Sequence, residues 1–120
     1  MSTEGAGALS ISSGSHGTAM VIHAAGDLDY GYAPMLRREL TQVWSGTDPM
    51  PPLILDLAGL TFCDSTGLAE LLWILRRSQE GSTRLVLTGV SRTLRHMLAM
   101  TGLLSRFTVS ASVEEALRDG

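Results

Sequence analysis

Two hydroxyl groups stand beside a carboxylate in the run Asp64-Ser65-Thr66-Gly67. An amphipathic stretch follows this run, so we expect both hydroxyls in the first turn of a helix, near backbone N–H groups and the positive end of the helix dipole. A phosphate can be held at such a place, and phosphorylation would add roughly −1.5 to −2 charges there. The ordinary alternative is helix capping by Asp64 or Ser65, and the local pattern alone favours capping.

A second run, Gly26-Asp27-Leu28-Asp29, also follows a predicted strand and precedes a predicted helix. We therefore expect it to form a loop beside Ser65 and to share a binding face with it. The alternative is a turn stabilised by Asx hydrogen bonds and a helix cap. An exposed Leu28 between two carboxylates would be unusual for a simple turn and would favour a role of this run in binding a partner. On that interpretation Asp29→Ala should weaken partner binding and leave the thermal midpoint nearly unchanged.

Other candidate chemistry in the chain is weak. Ser65 lacks the Gly-x-Ser-x-Gly elbow of hydrolases, and the chain contains no lysine for a phosphate-binding loop. Cys63 could be a thiolate nucleophile, but a small packed residue is the better interpretation. A small hydrolase or phosphotransferase using Ser65 or Cys63 is therefore the disfavoured rival, since neither has a visible base. Three histidines fall in a turn, a strand and a helix, which predicts no metal site: His16, His23 and His96.

The totals describe one soluble globular domain. The chain has 120 residues, of which 44% are hydrophobic and 18% charged, and its net charge of −3 gives no electrostatic case for nucleic acid. No apolar run approaches the roughly 20 residues of a membrane span. The first residues lack a secretory signal pattern, so we expect a cytoplasmic protein without cofactor. We expect residues 1–7 to be disordered and residues 8–120 to form the domain.

The elements that would position these runs alternate between strands and helices. A strand of leucine and isoleucine over residues 53–57, interrupted only by Asp56, leads through a short connection, residues 58–63, to a helix with leucines on one face. We expect an α/β fold, a mixed sheet of four to five strands with about four helices. The other predicted elements are an edge strand near residues 9–11, a turn at 12–17, strands at 18–25, 84–88 and 106–109, and helices at 32–44, 91–100 and after 112.

Three stretches of the chain together resemble the STAS domain, the family of bacterial anti-sigma factor antagonists. Gly26-Asp27-Leu28-Asp29 is similar to the family's Gly-Glu/Asp-Leu-Asp loop. Residues 55–68 resemble its strand and its Asp-Ser-Ser/Thr-Gly-Leu signature, and residues 94–104 resemble a helix that ends in Ser/Thr-Gly-Leu. Their order and spacing also match, and the resemblance extends from about residue 9 to residue 117.

The resemblance implies a single STAS domain that works as a switched binding partner. In this family the unphosphorylated antagonist binds an anti-sigma factor that is also a serine kinase with a histidine-kinase-like fold, and this frees the sigma factor. The kinase phosphorylates the serine after the signature Asp, here Ser65, which expels the antagonist, and a PP2C-type phosphatase restores it. The implied partner-binding residues are Gly26, Asp27, Leu28, Asp29, Asp64, Ser65, Thr66 and Gly67.

The resemblance also leaves an alternative. A STAS protein can serve as a scaffold, or as a subunit of a stress-signalling or lipid-transport complex, in which Ser65 is never phosphorylated. The residues themselves do not separate this interpretation from the phosphorylation switch.

Overall fold

Five strands lie side by side in sequence order in the computed structural model, which describes residues 8–119. The first two strands are antiparallel, and the remaining neighbours are parallel. The strands are β1 (Ser10–His16), β2 (Ala19–Leu28), β3 (Leu53–Cys63), β4 (Leu85–Thr88) and β5 (Thr108–Ser110). The predicted α/β fold with a mixed sheet is confirmed.

Four α-helices of the described residues pack on this sheet: α1 (Ala33–Trp44), α2 (Ser65–Glu80), α3 (Arg92–Met100) and α4 (Val113–Asp119). Side-chain caps fix three of the helix starts, and the cap of α4 is Ser112, which accepts a hydrogen bond from the Glu115 N–H at 3.1 Å. Asp64 caps α2, and Ser91 caps α3 by accepting a hydrogen bond from the Leu94 N–H at 3.1 Å. None of these helices is long and apolar enough to cross a membrane.

The first part of β3, residues 53–57, is apolar except for Asp56 because both faces of the sheet are covered there. Leu53, Leu55 and Leu57 point into the larger core, which also holds buried leucines of α1 and α2. Ile54 points to the opposite face, into a smaller cluster that includes Ala116 of α4. The strand is therefore held from both sides, and its carboxyl end delivers the chain to α2.

Two strands are longer than the sequence predicted. Residues 58–63 are not a connection, since β3 continues through them to Cys63. Residues 26–28 are not a loop, since β2 runs to Leu28. The two extensions pair with each other, with Gly26 opposite Leu60 and Leu28 opposite Cys63. Neither extension has the alternating or continuously apolar pattern that predicts a strand. Each is therefore a strand because it pairs with the other, distant segment.

The remaining corrections are smaller. The predicted turn at residues 12–17 is wrong, because β1 continues to His16 and the hairpin turns at Gly17 (φ 62°). A 3₁₀ turn (Leu104–Arg106) replaces the start of the last predicted strand. Ile74 is fully buried in the same core as Leu71 and Leu75, so it belongs to the buried face of α2. The prediction for residues 1–7 lies outside the described residues.

Candidate functional site

Asp64 joins the two predicted runs at the carboxyl edge of the parallel strands. One carboxylate oxygen accepts a hydrogen bond from the Gly67 N–H at 2.9 Å, and the other accepts one from the Tyr30 N–H at 3.3 Å. The Asp64 N–H donates to the carbonyl oxygen of Leu28 at 3.3 Å. Asp64 is thus both the N-cap of α2 and the link to the segment that follows β2. The structure brings the two runs together, as the sequence predicted.

Gly67 lets α2 approach β2 closely. It is buried, and a Cβ added there would lie 2.7 Å from the Cys63 sulfur and still closer to the Leu28 carbonyl oxygen. No side chain fits in that space without a shift of the helix or the strand. Gly67 therefore sets the position of the first turn of α2, and its role in the site is structural.

Ser65 is the first residue of α2 and is exposed, whereas Thr66 is half-buried. The N–H groups of a first helical turn have no acceptor within their own helix, and the helix dipole favours negative charge beside them. The fold can therefore accommodate a phosphate on the Ser65 hydroxyl. Of the two hydroxyls, Ser65 is the more accessible to an enzyme.

The run Gly26-Asp27-Leu28-Asp29 divides into inward and outward residues. Leu28 has no exposed surface, so the premise that it is exposed is wrong. Asp27 accepts a hydrogen bond from the Thr61 hydroxyl at 3.0 Å on the surface of the sheet. Gly26 has φ 97° and contacts the backbone of Ala8. The polar side chains that this run leaves at the surface are its carboxylates, while Leu28 holds the run to the core.

Asp29 stabilises the turn before α1. One carboxylate oxygen accepts hydrogen bonds from the N–H groups of Gly31 at 3.0 Å and Tyr32 at 3.1 Å. Its carbonyl oxygen accepts from the Ala33 N–H at 2.7 Å. The Asx turn that the sequence offered as the alternative is therefore present.

We expect Asp29→Ala to lower the free energy of unfolding by about 1 kcal/mol, because the Gly31 N–H loses its acceptor and the Tyr32 N–H keeps only the Asp29 carbonyl oxygen. This replaces the expectation of an unchanged thermal midpoint. Urea denaturation measures the change, and Asp29→Asn, which keeps one acceptor oxygen, should lose less. Equal stability of the alanine variant and the unmodified chain would show that these hydrogen bonds contribute nothing.

Two exposed aromatic residues near this edge were missed by sequence reasoning. Tyr30, whose N–H bonds to Asp64, is 79% exposed, and Phe62 is 52% exposed. Large exposed aromatic side chains are enriched where proteins bind one another. Tyr30 directly follows the run that ends at Asp29, so its place in the sequence could have indicated that it lies at this edge. Phe62 lies in the segment that the sequence predicts to be a connection, and a connection carries no prediction of which side chains are exposed.

The charge of this edge is negative. Asp27, Asp29 and Asp64 all lie here, and the ion pairs of residues 8–119 lie elsewhere: His23–Asp56, Arg37–Glu70 and Arg77–Glu80. A phosphate on Ser65 would add negative charge beside three carboxylates, none of which forms an ion pair within the described residues. Its solvation would then depend on water and on backbone N–H groups.

Cys63 is a poor nucleophile in this position. Burial, with a smaller contribution from the negative charge of Asp64, raises the pKa of its thiol to about 11. The thiolate is the reactive form, so very little of it exists near neutral pH. This agrees with a packed residue and argues against covalent catalysis by Cys63.

We expect iodoacetamide to alkylate Cys63 at pH 8 about a hundredfold more slowly than a free cysteine, because the pKa is raised by about two units. The rate should rise about tenfold per pH unit up to about pH 10, as thiolate forms. Mass spectrometry follows the reaction, and the chain unfolded in urea is the control. A rate that levels off below pH 9 would contradict the raised pKa.

Comparisons with known proteins match most of the chain to one family. The family model described as "STAS domain" matches residues 10–116. The chain is 28% identical over 99 residues to an anti-sigma F factor antagonist from Lysinibacillus sphaericus, and the aligned region covers 82% of each chain.

Two solved structures show that the fold is shared. One is an anti-sigma factor antagonist from Mycobacterium paratuberculosis, at 23% identity, with 93% of each chain covered and a TM-score of 0.82. The other is the Bacillus cell fate determinant SpoIIAA in its phosphorylated form, at 22% identity, with 93% of this chain and 98% of that one covered and a TM-score of 0.70.

Proposed function

We propose that this chain, which belongs to the STAS domain family, acts as an anti-sigma factor antagonist. On this proposal it is a regulator that works by binding, and it frees a sigma factor by occupying the anti-sigma factor. The observation that carries the proposal is an exposed serine at the start of α2, held against the end of β2 by Asp64 and Gly67. The similarity to the Lysinibacillus sphaericus antagonist supports it.

The proposed binding face is the edge that holds Asp27, Asp29, Asp64 and Ser65. Tyr30 adds an exposed aromatic ring, which can supply a large contact area with little loss of side-chain entropy. The three carboxylates suit a partner surface with positive charge. The turn before α1 and the cap of α2 hold these groups by hydrogen bonds, so that little ordering is required on binding.

The proposed partner is an anti-sigma factor with a histidine-kinase-like serine kinase fold, which would phosphorylate Ser65 in the cytoplasm. A phosphate there is compatible with the fold, because it adjoins the positive end of the α2 dipole. It is unfavourable in the complex, because the added charge would be desolvated beside the Asp64 carboxylate. A PP2C-type phosphatase would restore the binding form.

Incubation with candidate anti-sigma kinases and ATP tests this proposal. We expect one phosphate by intact-mass measurement, located on Ser65 by tandem mass spectrometry. Ser65→Ala should accept none, and Thr66→Ala should still be phosphorylated. Phosphate on Thr66 alone would contradict the assignment of the acceptor. Tight binding of a partner without any phosphorylation would favour the scaffold alternative.

A further inference from the structure

The extension of β3 leaves one edge of that strand open. β4 pairs with β3 only from Leu53 to Asp56, while β3 continues to Cys63 with β2 on its other side. Gly89 turns the chain away from the sheet where it passes Ala58. From residue 59 onward, therefore, this edge of β3 has no neighbouring strand among the described residues. Such an edge presents backbone N–H and C=O groups that another extended segment can pair with.

A groove of about 470 Å³ follows this edge, between the end of β3 and α3. We call it the edge groove. Neighbouring side chains of a strand point to opposite faces, so a groove lined by consecutive strand residues follows the strand edge rather than one face. Its lining contains no charged residue and includes Leu60, Thr61, Phe62 and Cys63 from β3 and Leu94 and Met97 from α3.

The edge groove combines an open backbone edge with apolar walls. Phe62 is 52% exposed, and Leu60 and Met97 are half-buried, so apolar surface remains to be covered. The open part of the strand, residues 59–63, would extend about 17 Å at 3.3 Å per residue. An extended segment matches this shape, since its backbone can pair with the edge and its alternate side chains can enter the groove.

We propose that the edge groove binds an extended, uncharged segment of the anti-sigma factor, which adds to β3 as a further strand and places an apolar side chain between Phe62 and Met97. This inference rests on the proposed function. The groove is continuous with the site around Ser65, because Cys63 lines the groove and Asp64 and Ser65 follow it directly. A partner bound at Ser65 can thus contact the open edge along one continuous surface. A phosphate on Ser65 would stand at the end of the added strand.

Two measurements on the full chain with a purified anti-sigma factor kinase test the proposal. In hydrogen–deuterium exchange we expect backbone amides within residues 59–63 to become protected when the kinase binds. In calorimetry we expect Phe62→Asp and Met97→Asp each to weaken binding roughly thirtyfold, because each puts a charge into the groove. Met100→Asp is the matched control. It changes a 73% exposed methionine of the same helix outside the groove and should alter binding less than about threefold.

The possible outcomes separate the two proposals. Failure of the unmodified chain to bind any anti-sigma factor kinase would overturn the proposed function and this inference with it. Binding with unchanged affinity in the Phe62 and Met97 variants, and without protection of residues 59–63, would overturn this inference alone. Protection of the same amides in the chain alone, together with a dimer mass in light scattering, would assign the edge to a second copy of this chain instead. The exchange measurement uses the unmodified protein, so it decides even if a variant folds poorly.

Discussion

Phosphorylation of Ser65 is expected to weaken binding to the anti-sigma factor by at least about a hundredfold, or roughly 2.7 kcal/mol. The phosphate would be desolvated within an edge that already carries Asp27, Asp29 and Asp64, and no described cation pairs with these carboxylates. Ser65→Asp adds one negative charge and should reproduce much of the loss. Ser65→Ala should bind as tightly as the unmodified chain.

Calorimetry or surface plasmon resonance with the purified anti-sigma factor measures these affinities. Ser45→Asp is the matched control, because it adds the same charge at an exposed serine after the end of α1, away from this edge. Circular dichroism should show that Ser65→Asp folds normally, since negative charge suits the start of α2. A Ser65→Asp variant that binds as tightly as Ser65→Ala would refute the electrostatic explanation.

Gly67→Ala is expected to lower the free energy of unfolding by about 2 kcal/mol, although alanine is the better helix former by about 1 kcal/mol. The new Cβ would overlap the Leu28 carbonyl oxygen and the Cys63 sulfur, so α2 must move away from the sheet. In a domain of this size the thermal midpoint should fall by about 8 to 10 °C. Thermal and urea denaturation measure both quantities.

Gly14→Ala is the control for this prediction. Gly14 lies within β1, where an added Cβ meets no heavy atom within 4 Å, so the same substitution should change stability little. The displacement of α2 should also weaken binding in the folded fraction of Gly67→Ala, because it moves Ser65. An unchanged midpoint for Gly67→Ala would mean that the helix shifts at no cost and that Gly67 does not fix the site.

Local patterns predicted the elements that carry the site. The leucine spacing of α2, the apolar run of residues 53–57 and a short oxygen-bearing side chain at Asp64 each depend on neighbouring residues, and the structure confirms all three. The meeting of Asp64 with the run that ends at Asp29 followed from a general property of parallel sheets, in which strand ends share an edge.

Non-local pairing accounts for what the sequence did not predict. The extensions of β2 and β3 contain Gly26 and Gly59 and lack a long apolar run, and they are strands because they pair with each other. The sequence predicts a loop at residues 26–28, and a loop carries no expectation of alternating inward and outward side chains. That alternation explains why Leu28 is buried while Asp27 stays at the surface.

The open edge of β3 was missed for the same reason. If residues 58–63 formed a connection, they would present no strand edge. The point at which β4 ends relative to β3 depends on how the strands pair in the assembled sheet. The exposure of Phe62 depends on this difference in strand length. The sequence thus predicted the position of Ser65 at the start of a helix but did not predict the groove beside it.

Displacement of a sigma factor tests the central claim most directly. Fluorescence anisotropy can follow a labelled sigma factor bound to the anti-sigma factor while the chain is added, either unmodified or fully phosphorylated on Ser65. We expect the unmodified chain to release the sigma factor and the phosphorylated chain to leave it bound, with treatment by a PP2C-type phosphatase restoring release. Equal release by both forms, or by neither, would contradict the account.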